Sequence, residues 1–283
     1  MTPEGDVMLK SGLYEQIINQ GINEELKSTD KIIRLKNIDE GESSKVLAQY
    51  ASEIIEKGLN QLGDDKLPEK IELINKMIEV IRAKTGDEDF TSMSVDERAE
   101  QLLALLDKEN SKYAIDQNST VIRPETSIAQ SSLFTSAVNE PQLLGELKKE
   151  IVSADRIDMI VSFIKWSGVR RIINELKDFT DKGGELRIIT TSYMGATDVK
   201  AIEELRKLSN TMIKVSYDTK VTRLHVKSYV FYRDTGFTTA YVGSSNLSGA
   251  AISTGREWNV KVTNKDLPDT IKKISATFES YWN

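Results

Sequence analysis

Residues 224–246 read LHVKSYVFYRDTGFTTAYVGSSN and hold the most informative pattern of the chain. Two runs rich in apolar residues, 225–232 and 237–242, flank the turn residues Asp234-Thr235-Gly236, which predicts two β-strands separated by a turn. His225 is the only histidine among the 283 residues. Because strand side chains alternate between faces, His225 and Lys227 are expected to point the same way.

Small and polar residues follow the second predicted strand as Gly243-Ser244-Ser245-Asn246. Taken singly, a strand histidine, a strand lysine and a small-residue turn are ordinary features of a fold. Together they place an imidazole, a cation, hydroxyls, an amide and a tight backbone in one short stretch. Such a set suits the binding of a phosphate oxyanion.

These residues resemble the signature of the phospholipase D superfamily, which consists of His-x-Lys, a downstream Asp and Gly-Ser-x-Asn. The match departs at the acid: Tyr232 stands where the Asp is expected, and Asp234 lies two residues further on. In the nuclease branch a Glu often follows the Gly-Ser-x-Asn and precedes an apolar strand, and Glu257 fits that place.

The resemblance extends over most of residues 140–283, and more loosely to residues 11–15. It is closest to the nuclease module at the front of bacterial DEAD/DEAH-box helicases that carry a C-terminal domain of unknown function. The stretches that carry it are Ala154–Ile157, Val161–Gly168, Ile188–Asp198, Thr222–His225 and Phe278–Asn283. It implies a helicase domain as partner in the parent protein, with ATP and Mg²⁺ bound outside this chain.

The superfamily uses two His-x-Lys halves at one site, so the single half here implies a homodimer. His225 would act as nucleophile in one subunit and as general acid in the other, without metal or other cofactor. Phosphate would be bound by Lys227, Gly243, Ser244 and Asn246, while Glu257 orients the imidazole. Asp234 is a weaker candidate for the orienting role, because its spacing differs and its context predicts a turn.

Arg223 lies two residues before His225 and is expected on the same strand face. Contact with a nucleic-acid backbone and a salt bridge with Glu257 or Asp218 are equally good interpretations of this residue.

The first part of the chain has apolar residues at helical spacing and predicts an all-helical region over 1–125. Its helices are expected near residues 13–26, 43–59, 68–84 and 94–106. Residues 110–135 are polar and without periodicity, which predicts a linker. Residues 126–283 then alternate strand and helix, which predicts an α/β phospholipase D-like domain with a mixed, largely parallel sheet and helices on both faces. Its strands are expected near residues 157–164, 186–191, 212–217, 225–232, 237–242 and 257–262.

Composition narrows the classes further. The chain lacks cysteine, which excludes disulfides and thiolate metal sites and fits a cytoplasmic location. No apolar run is long enough for a membrane span, and no secretory leader is expected at the N-terminus. Residues 1–125 carry a net charge of −10 and residues 126–283 one of +4. The basic balance of the second part suits a polyanion, or the two parts neutralise each other.

Three function classes follow. The first is a metal-independent DNA or RNA nuclease within a helicase-containing protein. The second is a catalytically idle module for dimerisation and nucleic-acid docking, which the loss of the usual Asp at Tyr232 favours. The third is a lipid phosphodiesterase, which the single signature copy and the absence of a membrane-facing apolar stretch disfavour.

Overall fold

A computed structural model of the chain describes residues 9–105, 121–137, 139–218 and 224–283. The chain divides into two compact units, Met1–Leu103 and Ala104–Asn283. The predicted boundary lies further along, at residue 125. Glu125 and Thr126 donate backbone hydrogen bonds to the Glu146 carboxylate, so the chain just beyond the undescribed stretch is already tied to the second unit.

The first unit is helical, with α1 at Gln20–Ser28, α2 at Ser43–Gln61 and α3 at Leu67–Thr85. Asn19 caps α1 by accepting the Ile22 N–H at 3.0 Å. Gly86 ends α3 in the left-handed conformation, at φ 71°. None of the residues in these three helices is buried. The helical character of the region is confirmed, but the first helix begins at Gln20 and not near residue 13 as predicted.

The fourth predicted helix is wrong. Residues Glu88–Met93 form a 3-10 helix, and residues 94–105 contain turns and irregular backbone. Ala99 adopts a positive φ of 53°, which an α-helix does not allow. The remainder of this predicted helix lies outside the described residues.

The second unit is built on a seven-stranded sheet with the spatial order β1-β7-β6-β5-β2-β3-β4. The strands are β1 Ser132–Phe134, β2 Arg156–Val161, β3 Glu185–Thr191, β4 Thr211–Ser216, β5 Lys227–Tyr232, β6 Thr239–Gly243 and β7 Asn259–Thr263. The helices are α4 Leu143–Ser153, α5 Trp166–Val169, α6 Ile173–Asp181, α7 Val199–Leu205 and α8 Pro268–Trp282. A short π-helix spans Ala250–Thr254.

The sheet is mixed, as predicted, but its expected largely parallel character is wrong. Only β2–β3 and β3–β4 pair in parallel, and the other four pairings are antiparallel. Helical crossovers return the chain in the same direction between β2, β3 and β4. The tight turn at 234–236 joins β5 directly to β6, and such a connection makes neighbours antiparallel. Strand β1 also lies inside the predicted linker, where it pairs with β7.

Helices cover both faces of the sheet, as predicted. One face packs Ile157, Met159 and Val161 of β2 into a large core with α4, α6 and α7. The alternate residue Ile160 points to the other face, where it contacts Phe278 of α8. The residues of β2 thus alternate between the two faces of the sheet, and both faces are buried.

One cluster of buried charged side chains in the second unit is internally paired. The fully buried Glu150 of α4 binds Arg233 at 2.5 Å and Lys261 at 3.0 Å, and it accepts hydrogen bonds from Thr239 and Tyr241. Burial alone would raise the pKa of Glu150, but the charges of Arg233 and Lys261 outweigh it and lower the pKa. This cluster fixes α4 against the β5–β6 turn and β7.

Candidate active site

Strand directions bring the signature residues to one edge of the sheet. Lys227 begins β5, Gly243 ends β6 and Asn259 begins β7. The antiparallel register places Gly243 opposite Asn259, and it places Lys227 opposite Val161 at the end of β2. The His-x-Lys residues, the Gly-Ser-Ser-Asn turn and Glu257 therefore lie around the same edge.

His225 and Lys227 are in direct contact, as their spacing predicts. Lys227 Nζ lies 3.0 Å from each ring nitrogen of His225 and donates to the His225 carbonyl oxygen at 3.0 Å. His225 is exposed in the segment just before β5, whereas Lys227 is buried. A ring nitrogen can accept a hydrogen bond from the ammonium only in the tautomer that leaves that nitrogen without a proton.

The environment of Lys227 makes its charge easier to lose. Burial lowers the pKa of the ammonium below its usual 10.5, and the negative charge of Glu257 partly opposes that shift. The lysine is thus a desolvated cation beside an exposed imidazole. A phosphate oxyanion bound here would stabilise the ammonium with its negative charge, in place of the water that burial removes.

Asn246 is buried and its amide orientation is fixed. Its Oδ1 accepts the Phe163 backbone N–H at 3.1 Å, from the segment that follows β2. With the oxygen occupied in this way, the amide nitrogen remains as the group that can donate to a ligand. The next residue, Leu247, forms a parallel bridge with Ile164 and accepts the Lys165 N–H at 2.8 Å, which holds the turn in place.

Ser244 and Glu257 are hydrogen-bonded to each other through Ser244 Oγ and Glu257 Oε2. The Trp258 N–H also donates to Ser244 Oγ, at 3.2 Å. Among the described residues, Glu257 forms no hydrogen bond with His225. Its predicted role in orienting the imidazole stays a prediction, and its observed contacts orient the Ser244 hydroxyl instead.

Gly243 is required by close packing rather than by its backbone angles. A Cβ built at this position would lie 2.1 Å from the Trp258 carbonyl oxygen and 2.6 Å from Asn259 Oδ1. The same carbonyl accepts the Ser244 N–H at 3.1 Å. The glycine therefore lets the turn approach β7 closely enough to place Ser244.

The remaining predicted residues lie elsewhere. Asp234 is at the opposite end of β5 from His225, in an exposed turn, where its N–H donates to Asp155. Tyr232, which replaces the expected Asp, lies at that same far end of β5. The Tyr232 hydroxyl donates to Ser275 of α8 at 3.0 Å, and the Arg156 guanidinium lies 3.9 Å from the centroid of the Tyr232 ring. Arg223 lies outside the described residues.

Three supporting residues escaped the sequence reasoning. Buried Asn259 donates to Ser245 Oγ at 2.8 Å, and Tyr229 donates to the Ser245 carbonyl at 3.0 Å. Asp198 accepts the Trp166 N–H at 2.9 Å and the Lys165 ammonium at 3.1 Å, contacts that lower the pKa of its carboxyl. A signal for Asp198 existed, since it closes one of the stretches that carry the family resemblance.

Two kinds of feature are absent from the described parts of the chain. Those parts contain no cluster of three or more His, Cys, Asp or Glu side chains that could hold a metal ion. Within the same residues no helix is both long and apolar enough to cross a membrane.

Solved structures with a related chain trace include two bacterial proteins. NucT from Helicobacter pylori is 21% identical, covering 53% of this chain and 94% of its own, with a TM-score of 0.43. Nuc from Salmonella typhimurium, described as a phospholipase D family member, is also 21% identical, covering 54% of this chain and 94% of its own, with a TM-score of 0.41. Yeast tyrosyl-DNA phosphodiesterase is 12% identical over 47% of this chain and 31% of its own, with a TM-score of 0.32. None of the curated proteins matches the sequence.

The family comparison concerns the second unit alone. Residues 147–282 match the family described as cardiolipin synthase, PLD-like domain. The matched range begins within α4 and ends within α8, so it includes β2 to β7 and every predicted site residue. Over residues 147–282, the second unit of this chain is thus similar to a phospholipase D-like domain.

Proposed function

We propose that the second unit is a phosphodiesterase that cleaves nucleic acid through a phosphohistidine intermediate. The observation that carries this proposal is the contact of the exposed His225 ring with the buried Lys227 ammonium, 3.0 Å from either ring nitrogen. An incoming phosphate oxygen competes with the imidazole for the ammonium. The bond from the ammonium to a negatively charged oxygen is stronger than its bond to a neutral ring nitrogen. That exchange frees a ring nitrogen lone pair next to the phosphorus atom.

In the first step the freed nitrogen of His225 attacks phosphorus, a P–N bond forms and the P–O bond to the leaving group breaks. The leaving alkoxide takes a proton from a second imidazole. In the second step water attacks phosphorus, gives a proton to that imidazole, and the P–N bond breaks. Splitting one difficult displacement into two is the benefit of covalent catalysis. Lys227 and the amide nitrogen of Asn246 would stabilise the charge on the non-bridging oxygens.

The second imidazole must come from another subunit, because the chain has one histidine. A homodimer with the two copies of His225 facing each other across a two-fold axis meets this need. Two copies of Lys227 then supply the positive charge, so we propose that no metal ion or other cofactor takes part.

Nucleic acid is the proposed substrate, with DNA first. The net charge of +4 on residues 126–283 suits a polyanion. The resemblance to the nuclease module of bacterial helicases adds a helicase domain as partner in the parent protein and a cytoplasmic location.

The test is cleavage of single- and double-stranded DNA in excess EDTA by wild type and His225→Ala. Asp234→Ala is a matched control, because it changes an exposed side chain at the far end of the same strand. We expect cleavage by wild type and by Asp234→Ala, and none by His225→Ala. Equal activity of wild type and His225→Ala, with DNA binding retained, would instead support a catalytically idle docking module.

A mixing experiment tests the shared site. Wild type and His225→Ala are unfolded and refolded together at several ratios. If each site needs two intact copies of His225, activity falls with the square of the wild-type fraction. A linear fall would show that one histidine is sufficient and would remove the homodimer from the mechanism.

A further inference from the structure

Aromatic residues follow the three parallel strands next to the candidate site. Phe163 comes two residues after β2, Tyr193 two residues after β3, and Tyr217 directly after β4. Parallel strands end at the same edge, and β2 is the neighbour of β5, which carries His225 near its start. At about 4.8 Å between strands, the row extends from roughly 5 to 14 Å from β5.

These side chains are accessible although they are large and apolar. Tyr217 is 79% exposed, and Met194, next to Tyr193, is 82% exposed. Phe163 and Tyr193 are partly exposed. Single exposed aromatic side chains are common on protein surfaces. Here an aromatic residue follows each of three adjacent strands, beside the candidate phosphate-binding turn, and this grouping suggests a binding surface.

The row is fixed to the candidate site by backbone contacts. The Phe163 N–H donates to Asn246 Oδ1, so the first ring is tied to the amide proposed to bind phosphate. The Tyr193 N–H donates to Thr191 Oγ1 at 3.1 Å, and Met194 keeps a left-handed φ of 57°. Such a backbone conformation costs about 1 kcal/mol or more in a non-glycine residue and is retained only where the surroundings hold it.

Positive charges follow the first two of these loops along the chain. Lys200 Nζ is 4.9 Å from the ring centroid of Trp166, and Arg170 and Arg171 at the end of α5 are exposed. A nucleic-acid strand needs both groups: cations for its phosphates and flat apolar rings for its bases.

We propose that Phe163, Tyr193 and Tyr217 form a stacking row for the unpaired bases of a single strand on one side of the scissile phosphate. This inference rests on the proposed nuclease function and adds the substrate class. Bases in a duplex are already stacked on each other, so they cannot lie on the row without unpairing. The row therefore selects single-stranded substrate, with little dependence on base identity.

The test uses Tyr217→Ala, with Tyr217→Phe as matched control because it keeps the ring. Both are combined with His225→Ala to prevent cleavage, and binding is measured by fluorescence anisotropy. The probes are a labelled single strand of mixed sequence, an abasic strand of the same length and a blunt duplex. We expect Tyr217→Ala to weaken binding of the single strand by about 5- to 150-fold. Tyr217→Phe should bind it as the parent does, and the abasic strand should bind weakly and equally to all three proteins.

Any of four outcomes would overturn the stacking row. The parent could bind the abasic and normal strands with equal affinity, or bind the duplex more tightly than the single strand. Both tyrosine variants could lose the same affinity for the single strand, or no probe could bind. Hydrolysis of bis(4-nitrophenyl) phosphate by the proteins that retain His225 separates this inference from the proposed function. That small diester needs only the phosphate site, so its hydrolysis reports the chemistry of His225 alone. If hydrolysis does not depend on His225 while base-dependent binding persists, the proposed chemistry fails and the stacking row stands.

Discussion

Replacing Asn246 by aspartate separates the two roles that the structure gives to this side chain. Its oxygen accepts the Phe163 N–H at 3.1 Å, and its nitrogen is left to bind phosphate. Aspartate has nearly the same volume and keeps an oxygen toward Phe163, so the segment after β2 stays tied. The donor to the phosphate is lost, and a negative charge takes its place.

The expected effect of Asn246→Asp is a kcat reduced by about 10²- to 10³-fold, or about 2.7–4 kcal/mol of transition-state stabilisation. Steady-state hydrolysis of bis(4-nitrophenyl) phosphate measures it, and thermal unfolding reports the fold. Asn246→Ala should lose the same activity and also destabilise the protein by about 1–3 kcal/mol, because the Phe163 N–H loses its acceptor.

Asn264→Asp is the matched control for this experiment. Asn264 donates to the Gly236 carbonyl at 3.2 Å, at the edge of the sheet away from the candidate site. The same change of amide to carboxylate there should leave kcat unaltered. Retention of activity within tenfold in Asn246→Asp, or destabilisation equal to that of Asn246→Ala, would refute the assignment of the two amide atoms.

Three further expectations follow from the same contacts. Gly243→Ala should lower the thermal midpoint and the activity together, because its Cβ meets the Trp258 carbonyl oxygen at 2.1 Å. Gly145→Ala in α4, with nothing within 4 Å, should lower neither in the same melting and hydrolysis assays, since alanine is the better helix former. Glu150→Gln should reduce the free energy of unfolding by about 3–5 kcal/mol in denaturant titrations. In wild type, the lowered pKa of the Glu150 carboxyl makes its contribution to the free energy of unfolding depend on pH. That contribution is complete above the ordinary pKa of 4.5 and is lost as the pH falls below it. The pH profile of kcat should fall on the alkaline side with a midpoint below 10.5, because burial lowers the pKa of Lys227. Lys227→Arg should abolish this alkaline limb, since a guanidinium stays charged. An unchanged limb in Lys227→Arg would contradict its assignment to Lys227.

Local patterns predicted the strands and the contact of the signature pair well. The alternation of His225 and Lys227 is a period-two property, and the structure brings the two side chains together as expected. What the sequence did not show are contacts made by the main chain. The Phe163 N–H that orients Asn246 has no residue signature, because any residue except proline has such a donor.

Two errors have opposite physical origins: a strand formed without a local signal, and a helix did not form despite one. Strand β1 has three residues, Ser132–Phe134, within a polar stretch, and it forms a strand because β7 offers an edge more than a hundred residues later. The fourth helix failed for the opposite reason. A capping pattern at residues 94–97 raises helical propensity locally, and propensity is a weak determinant that other constraints override.

The direction of the strands was the error with the greatest consequence for the site, and the signature itself contains the argument against it. His225 precedes β5, whereas Asn246 follows β6. In a parallel pair, the start of one strand and the end of the next lie at opposite edges, separated by about 3.3 Å for each residue of the strand. For β5, with six residues, that separation is about 20 Å, which is too far for both residues to contact one phosphate. Antiparallel pairing of β5 and β6 brings them to the same edge. A site composed of residues before one strand and after its neighbour therefore requires antiparallel pairing, whatever the alternation of strands and helices suggests.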